Sequence, residues 1–505
     1  MTEINWQKLQ NGSDIRGVAL TGVAGEEVNL TPEVVAIISK AFSLWLSQQK
    51  HKPTSELTIS LGRDSRLSGE TLMNASLNAI ASLGVKVYDF AMASTPAMFM
   101  STITEGYKCD GAIMLTASHL PFNRNGLKFF TDKGGLEKQD ITEILAIAQK
   151  REFPKIEEKG NIEKRDFMSV YANQFVTKIR ESVNHPDNYE TPLQGLKIIV
   201  DAGNGAGGFY ATKVLLPLGA DIQGSQFLNP DGNFPNHIPN PENKEAMMSI
   251  SEAVINHQAD FGIIFDTDVD RSAAVDSQGK ELNRNKLIAL ISAIILKEHP
   301  QSTIVTDSIT SDGLTQFIEE ELKGKHHRFK RGYKNVINEA LRLNQEGVES
   351  WLAIETSGHA ALKENYFLDD GAYLVTKLLI ELAKLKLENK NLIDLINRLK
   401  EPVESEEFRL IITAKNFKEY GTQIIEKLTA FSASQTDWNI VPNNYEGIRI
   451  SCENESEKGW FLLRLSLHDP VLPLNIETNI EGGVNKIASR LWTFFDQFEE
   501  LNYHH

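Results

Sequence analysis

A short β-rich run that leads through Gly, Asp or Ser into a helical pattern occurs three times along this chain. The runs are Leu57-Thr58-Ile59-Ser60-Leu61, Leu196-Lys197-Ile198-Ile199-Val200 and Thr303-Ile304-Val305-Thr306. Roughly 50 to 65 residues after each comes a second apolar run, a span that holds two or more strand–helix units. These second runs are Ala112 to Leu115, Phe261 to Phe265 and Trp351 to Ile354. Each ends in a polar loop: Thr116-Ala117-Ser118-His119, then Asp266-Thr267-Asp268-Val269-Asp270-Arg271, then Glu355-Thr356-Ser357-Gly358-His359. The pattern reads as a divergent threefold repeat of one α/β unit. Each copy would present a different chemical group from the carboxyl ends of its strands, where open α/β sheets place ligands.

The intervening chain fits this reading. Thr31 to Gln48 has helical periodicity, with Thr31 as N-cap and Pro32 at the first helical position. Ser68 to Ser82 is the next helix and Val85 to Phe90 the next strand, so a mainly parallel, helix-covered sheet is expected. Lys150 to Lys164 reads as exposed connection, and His185 to Pro192 and Lys297 to Ser302 as boundaries before the second and third copies. Leu374 to Lys400 is a long helical pattern expected to close the third copy. From Glu401-Pro402 onward, strands at Phe408 to Ile412, Ile448 to Ser451 and Trp460 to Leu465 suggest a smaller α+β region. At 505 residues the chain exceeds what one core can serve, with about three to four domains expected.

The net charge of −16 disfavours nucleic acid and anionic membrane surfaces as partners, while leaving room for a local basic pocket that takes a small anion. With only Cys109 and Cys452, no disulfide framework holds the fold, which suits a reducing compartment. Met1 to Asp14 lacks an apolar signal core and no apolar run reaches membrane-spanning length, so a cytoplasmic protein is expected. No Gly-Lys-Ser/Thr phosphate loop and no Gly-x-Ser-x-Gly elbow is present. Asp201 to Gly208 follows a strand, but its glycine spacing is wrong for Gly-x-Gly-x-x-Gly, so it reads as a tight strand–helix turn.

Five stretches carry the candidate chemistry. From Thr116 to Lys128 a hydroxyl stands beside an imidazole, with Arg124 and Lys128 in the same loop and a Pro and an Asn-Gly pair that end regular structure. That composition suits a group that gains, holds or loses phosphate; an ordinary strand-exit loop is the competing reading. Asp266, Asp268 and Asp270 alternate after a strand, so an extended chain would aim all three carboxylates to one side. A hard divalent cation, Mg²⁺ by preference, would remove their mutual repulsion, against the alternative of a solvated acidic turn. An EF-hand calcium loop is excluded, because Arg271 and Ser277 stand where it needs Gly and Glu. Glu355, Ser357 and His359 could meet sugar hydroxyls, or form a plain surface turn. Lys330-Arg331-Gly332-Tyr333-Lys334 could steer phosphate, or be a solvated basic patch. Arg464-Leu465-Ser466-Leu467-His468-Asp469-Pro470 offers a guanidinium for a phosphate dianion, with an Arg–Asp ion pair as its alternative.

Taken in order, these loops, together with Asp14-Ile15-Arg16-Gly17, resemble the α-D-phosphohexomutase family of phosphoglucomutases, phosphomannomutases and phosphoglucosamine mutases. The resemblance implies four domains around a central cleft: three related mixed-sheet α/β units at 1–160, 190–300 and 301–400, and a smaller α+β domain at 401–505. It implies a phosphoryl group carried on Ser118 and passed to a hexose phosphate through a hexose 1,6-bisphosphate, which serves as intermediate and activator. Mg²⁺ would be held by Ser118, Asp266, Asp268 and Asp270. His119 and Arg271 would support the phosphate, with Arg16 and Lys128 assisting proton transfer or stabilising the transferring group. Lys334, Glu355, Ser357 and His359 would bind the sugar, and Arg464, Ser466 and His468 its distal phosphate. The expected partners are small hexose phosphates, with neither nucleic acid nor membrane; the preferred sugar and the oligomeric state are not set by the sequence. Two departures stand out: Leu467-His468 replaces the family's Gly-Thr in the last loop, and Ile354 replaces a Gly that often precedes the sugar-loop Glu. A phosphoglucosamine mutase, a non-catalytic sugar-phosphate-binding paralogue, and a phosphatase using Asp266 or Asp268 as nucleophile are the alternatives.

Overall fold

The computed structural model describes residues 4–466 and 469–503. They form two compact units, one made by the chain up to Asn283 with Ser357–Asp394, the other by Arg284–Thr356 with the chain from Leu395.

In the first unit the strands Gln10–Asn11, Asp14–Val18, Arg124–Thr131, Gly111–Leu115, Thr58–Arg63, Lys86–Met92 and Ile162–Lys164 lie side by side in that order. Thr58–Arg63 pairs in parallel with both Lys86–Met92 and Gly111–Leu115, whereas Arg124–Thr131 runs antiparallel to Gly111–Leu115 and to Asp14–Val18. The sheet is therefore mixed rather than mainly parallel. The helix Pro32–Lys50 starts where Thr31 accepts the N–H of Val34, and it buries Val34, Val35, Ile38, Phe42 and Leu46 against the sheet. A second sheet orders Glu281–Leu282, Ser272–Asp276, Phe261–Phe265 and Ile198–Asp201, covered by the helix Lys244–Asn256.

In the second unit Thr303–Thr306 pairs in parallel with Lys325–Arg328 and with Ser350–Ile354. The C-terminal region is a six-stranded antiparallel sheet backed by the helices Phe417–Ala433 and Gly483–Phe495, an α+β arrangement as expected. No helix among the described residues is long and apolar enough to cross a membrane.

Three local expectations need correction. Asn125-Gly126 does not end regular structure but lies inside the strand Arg124–Thr131, where a Cβ on Gly126 would meet Ile15 O at 2.1 Å. Glycine serves close strand approach there, not a turn. The end of the supposed exposed connection, Ile162–Lys164, adds to the sheet edge beside Lys86–Met92. The helix read from Leu374 to Lys400 runs instead from Gly371 to Leu387, and Asn389 turns left-handed just beyond it.

Candidate active site

Ser118 leaves the strand Gly111–Leu115 with a left-handed backbone, φ +49°, and its N–H donates to Thr116 Oγ1 at 2.9 Å. Thr116 Oγ1 in turn donates to the buried Asp64 at 2.6 Å. Ser118 Oγ donates to Asp266 Oδ2 at 3.0 Å and accepts from Arg271 Nη2 at 3.1 Å. Arg271 Nη2 also reaches His119 Nδ1 at 2.6 Å, so that imidazole nitrogen acts as an acceptor. The strand exits of two separate sheets thus meet at one hydroxyl.

The three aspartates are fully buried, and their carboxylate oxygens lie within 4.8 Å of one another. They are gathered by a turn rather than by alternation along an extended strand: Val269 is left-handed, φ +66°, and its N–H donates to Asp266 O at 3.4 Å. Asp268 Oδ2 accepts from Thr95 Oγ1, and Lys128 Nζ bonds Asp270 Oδ2 while lying 3.4 Å from Asp268 Oδ2. Asp266 accepts the N–H of Arg271 at 3.1 Å and its Nε at 3.2 Å. Burial, followed by the charges of Asp270 and Asp268, pushes Asp266 well above the usual carboxylate range. Burial acts on Asp270 in the same direction but is outweighed by Lys128, His359 and Arg271, which hold it charged. Asp268 Oδ1 and Asp270 Oδ1 have no hydrogen-bond partner despite complete burial. Orphaned anionic oxygens at the centre of a carboxylate trio are what a small hard cation would satisfy, so the residues present fit a divalent metal ion.

Arg16, on the strand paired across from Gly126, donates from Nη1 to Thr116 O at 2.8 Å and so borders the serine loop. His359 pairs through its backbone with Arg271, and its Nδ1 lies 2.5 Å from Asp369 Oδ2. Burial lowers its pKa, but the carboxylates of Asp369 and Asp270 prevail and raise it to about 9. Ser357 is buried beside Gly358, whose positive φ and contact with Ser272 O demand glycine. One cation read into the serine loop is otherwise engaged: Arg124 binds Glu26.

The second unit carries the remaining candidates. Lys334 lies in the first turn of the helix Tyr333–Gln345, and Glu355 Oε1 accepts the N–H of Gly332 at 2.5 Å. Arg464 Nε stands 3.6 Å from Glu446, which also accepts from Ser308 Oγ at 2.6 Å and from the N–H of Arg331 at 3.1 Å. Ser466 Oγ accepts the N–H of Asp469 at 3.2 Å. His468 lies outside the described residues.

Several residues that partner these candidates within one unit or the other carry no local sequence signal. Thr95 holds Asp268, Asn240 accepts from Arg271 Nη1 at 3.2 Å, Asp369 holds His359, and Glu446 faces Arg464. Each is recognisable only through a partner distant in sequence.

Models of the phosphoglucomutase/phosphomannomutase alpha/beta/alpha domains I, II and III match residues 7–155, 173–279 and 283–402. A phosphoglucomutase of Neisseria meningitidis is 28% identical over 473 residues, 93% of this chain and 94% of its own. A phosphomannomutase/phosphoglucomutase of Pseudomonas aeruginosa is 27% identical over 479 residues, 94% of each chain. Among solved structures, a phosphoglucomutase/phosphomannomutase family protein of Burkholderia thailandensis superposes with a TM-score of 0.78 at 26% identity, covering 98% of this chain and 99% of that one. The phosphoglucomutase parafusin of Paramecium shares the fold, with a TM-score of 0.69 at 16% identity over 92% and 90% of the two chains.

Proposed function

Because the chain belongs to the phosphoglucomutase/phosphomannomutase family, we propose that it interconverts hexose 1-phosphates and hexose 6-phosphates by way of a phosphoserine at Ser118. The observation that carries this reading is the 3.0 Å contact between Ser118 Oγ and the buried aspartate trio. In the forward half-reaction a hydroxyl of the sugar attacks the phosphorus on Ser118. The bond from phosphorus to Oγ breaks as the bond to the sugar oxygen forms and the hydroxyl's proton ends on Ser118 Oγ, giving a hexose 1,6-bisphosphate. That molecule then turns in the site, and Ser118 takes its other phosphoryl group.

Such a reaction asks the protein mainly for position and charge. Arg271, which donates to Ser118 Oγ and to His119, holds the phosphoryl oxygens, and Lys128 offers an ammonium beside them. Arg16, anchored on Thr116 O, borders the transferring group. His359, fixed through Nδ1 by Asp369, is assigned to a sugar hydroxyl. When bound at Asp266, Asp268, Asp270 and Ser118, Mg²⁺ would neutralise charge on the phosphoryl oxygens and on the departing serine oxygen. Glu355, Ser357 and Lys334 are assigned to the sugar, and Arg464 and Ser466 to its distal phosphate, with hexose 1,6-bisphosphate as the activator that loads Ser118. The domain division at 1–160, 190–300, 301–400 and 401–505 belongs to the same proposal. So does residence in the reducing cytoplasm, which suits the two buried free cysteines.

Relatives named phosphoglucomutase and phosphomannomutase/phosphoglucomutase favour glucose and mannose phosphates over glucosamine phosphate. The test is conversion of glucose 1-phosphate and mannose 1-phosphate to their 6-phosphates with Mg²⁺ and a trace of hexose 1,6-bisphosphate. Ser118→Ala should lose turnover and, by intact mass, its bound phosphate. Wild-type-like turnover in that variant would end the phosphoserine reading, and release of free phosphate instead of isomerisation would mark a phosphatase.

A further inference from the structure

Arg66 follows the strand Thr58–Arg63 by three residues and is 1% exposed, one of the largest fully buried side chains of the protein. Its guanidinium is directed at backbone carbonyls rather than at a single carboxylate. Nη1 donates to Pro121 O at 2.8 Å and to Arg124 O at 3.0 Å, and Nη2 donates to Leu120 O at 2.6 Å and to Ser118 O. Asp64 completes the arrangement. It lies 3.4 Å from Arg66 Nε, accepts the N–H of Arg66 at 3.0 Å and accepts from Thr116 Oγ1, the group that holds the N–H of Ser118. The brace is sealed from outside by the Asp231–Phe234 turn. A Cβ on Gly232 would meet Ser65 O and Leu67 N at 2.5 Å, and the Phe234 ring centre lies 5.6 Å from the guanidinium carbon.

We propose that Arg66 is the positioning residue of the phosphoserine loop, a role that rests on the phosphoserine reading above. Four carbonyls from Ser118 to Arg124 can converge only around a cation with several donors spread in a plane, which a guanidinium provides and an ammonium does not. Every carbonyl oxygen turned toward Arg66 is one withdrawn from the phosphoryl oxygens, which would repel it. The same grip holds Ser118 in a left-handed conformation that a non-glycine residue seldom adopts unaided. Arg66 touches neither the Ser118 hydroxyl nor the carboxylates of Asp266, Asp268 and Asp270. It sets where the hydroxyl stands relative to them.

The test is Arg66→Lys in the full-length protein, assayed for kcat and KM on glucose 1-phosphate with saturating hexose 1,6-bisphosphate. Thermal melting and the ³¹P resonance of the enzyme-bound phosphoserine complete the measurement. A hydroxyl displaced by about an ångström should cost roughly 10²-fold in kcat. KM should stay within about threefold, because substrate groups outside the serine loop are unchanged, and the ³¹P resonance should shift. A kcat equal to wild type, or a lowered melting temperature alone with kcat and the ³¹P resonance unchanged, would overturn the proposal. Should Arg66→Lys fail to fold, Asp64→Asn removes the carboxylate charge 3.4 Å from Arg66 Nε and so loosens the guanidinium's hold on the carbonyls. It should lower kcat at constant KM, and an unaffected kcat there also overturns the assignment. An inactive, unphosphorylated wild type would sink both this inference and its parent, whereas an active wild type beside an equally active Arg66→Lys would sink this one alone.

Discussion

Replacing Lys128 by Met keeps the unbranched stem of a side chain that is 5% exposed while removing the ammonium that bonds Asp270 and lies 3.4 Å from Asp268. At that distance and an effective dielectric of about 20, the attraction to Asp268 alone is about 5 kcal/mol. The repulsion it offsets is comparable: two charged carboxylates with oxygens within 4.8 Å of each other repel by at least about 3.5 kcal/mol at the same dielectric. Breaking a buried ion pair from one side costs about 3–5 kcal/mol in practice, so the metal-free variant should melt roughly 10 °C below the metal-free wild type. Lys128, on the Oδ2 oxygens, and a divalent cation, at the partnerless Oδ1 oxygens, offset the charge of the same two carboxylates, so the cation should recover most of what the substitution removed. The assay is differential scanning fluorimetry in EDTA followed by a MgCl₂ titration of both proteins. Mg²⁺ should raise the melting temperature of Lys128→Met by several degrees more than that of the wild type, while turnover of the Mg²⁺-loaded variant falls by about 10²-fold or more. Metal-free proteins that melt within about a degree of each other, or equal Mg²⁺ shifts in both, would refute the reasoning.

Glu477 gives a pH prediction: burial pushes its carboxyl up to about 7, against the pull of Arg449 and of the Trp460 Nε1 hydrogen bond. The folded state then binds the proton more tightly than the unfolded one, so stability is full below about pH 4.5 and falls by up to about 3 kcal/mol as pH rises to about 7; Glu477→Gln should flatten this slope in urea titrations at pH 5 and 8, and an unchanged slope would contradict it. Gly126→Ala places a Cβ 2.1 Å from Ile15 O and 2.9 Å from Thr116 O and should cost at least about 3 kcal/mol by denaturant titration, with activity lost as the serine loop is pushed; a stable, active variant would show that the strands can part. Val269→Gly trades about 2 kcal/mol of apolar burial for relief of about 1–2 kcal/mol of left-handed strain, leaving stability nearly level. Its freed backbone should weaken Mg²⁺ binding about fivefold by calorimetry, and unchanged affinity would show that the turn is held by other means.

The strands and caps were legible where the signal is local. Phe261 to Phe265 is an unbroken apolar run buried on both faces, and Thr31-Pro32 combines a side-chain acceptor with a residue that needs no N–H, so both elements stand where their residues require them. Local signals misled where tertiary contact took over. Asn125-Gly126 has the composition of a turn, yet the approach of Ile15 and Thr116 makes it a strand. The alternation of Asp266, Asp268 and Asp270 promised an extended arm, yet the carboxylates are brought together by a turn through Val269. The side chains proposed to carry the chemistry could be singled out because Asp, Ser, Lys and His rarely cluster without a use. Their neutralising partners were not, since Thr95, Asn240 and Asp369 are ordinary residues until the fold sets them against a charge.

Both loops that bear the proposed chemistry hold a non-glycine residue in left-handed conformation, Ser118 at φ +49° and Val269 at φ +66°. A β-branched residue there is a costly choice, and neither loop has the local sequence to impose it. In each case the constraint comes from elsewhere in the first unit. Arg66 collects the carbonyls around Ser118, while the N–H of Gly371 donates to Val269 O at 3.1 Å from a segment about a hundred residues downstream. Gly371 must lack a side chain for this, because a Cβ would meet Arg271 C at 2.7 Å and Val269 O at 3.0 Å. The preceding Asp370 is in turn fixed by Tyr171, whose hydroxyl donates to it at 2.8 Å. The positions of the hydroxyl and the carboxylates are therefore set by residues that carry no chemistry of their own. Substitutions at such anchors should disturb the geometry between Ser118 and the aspartates before they disturb either group's identity.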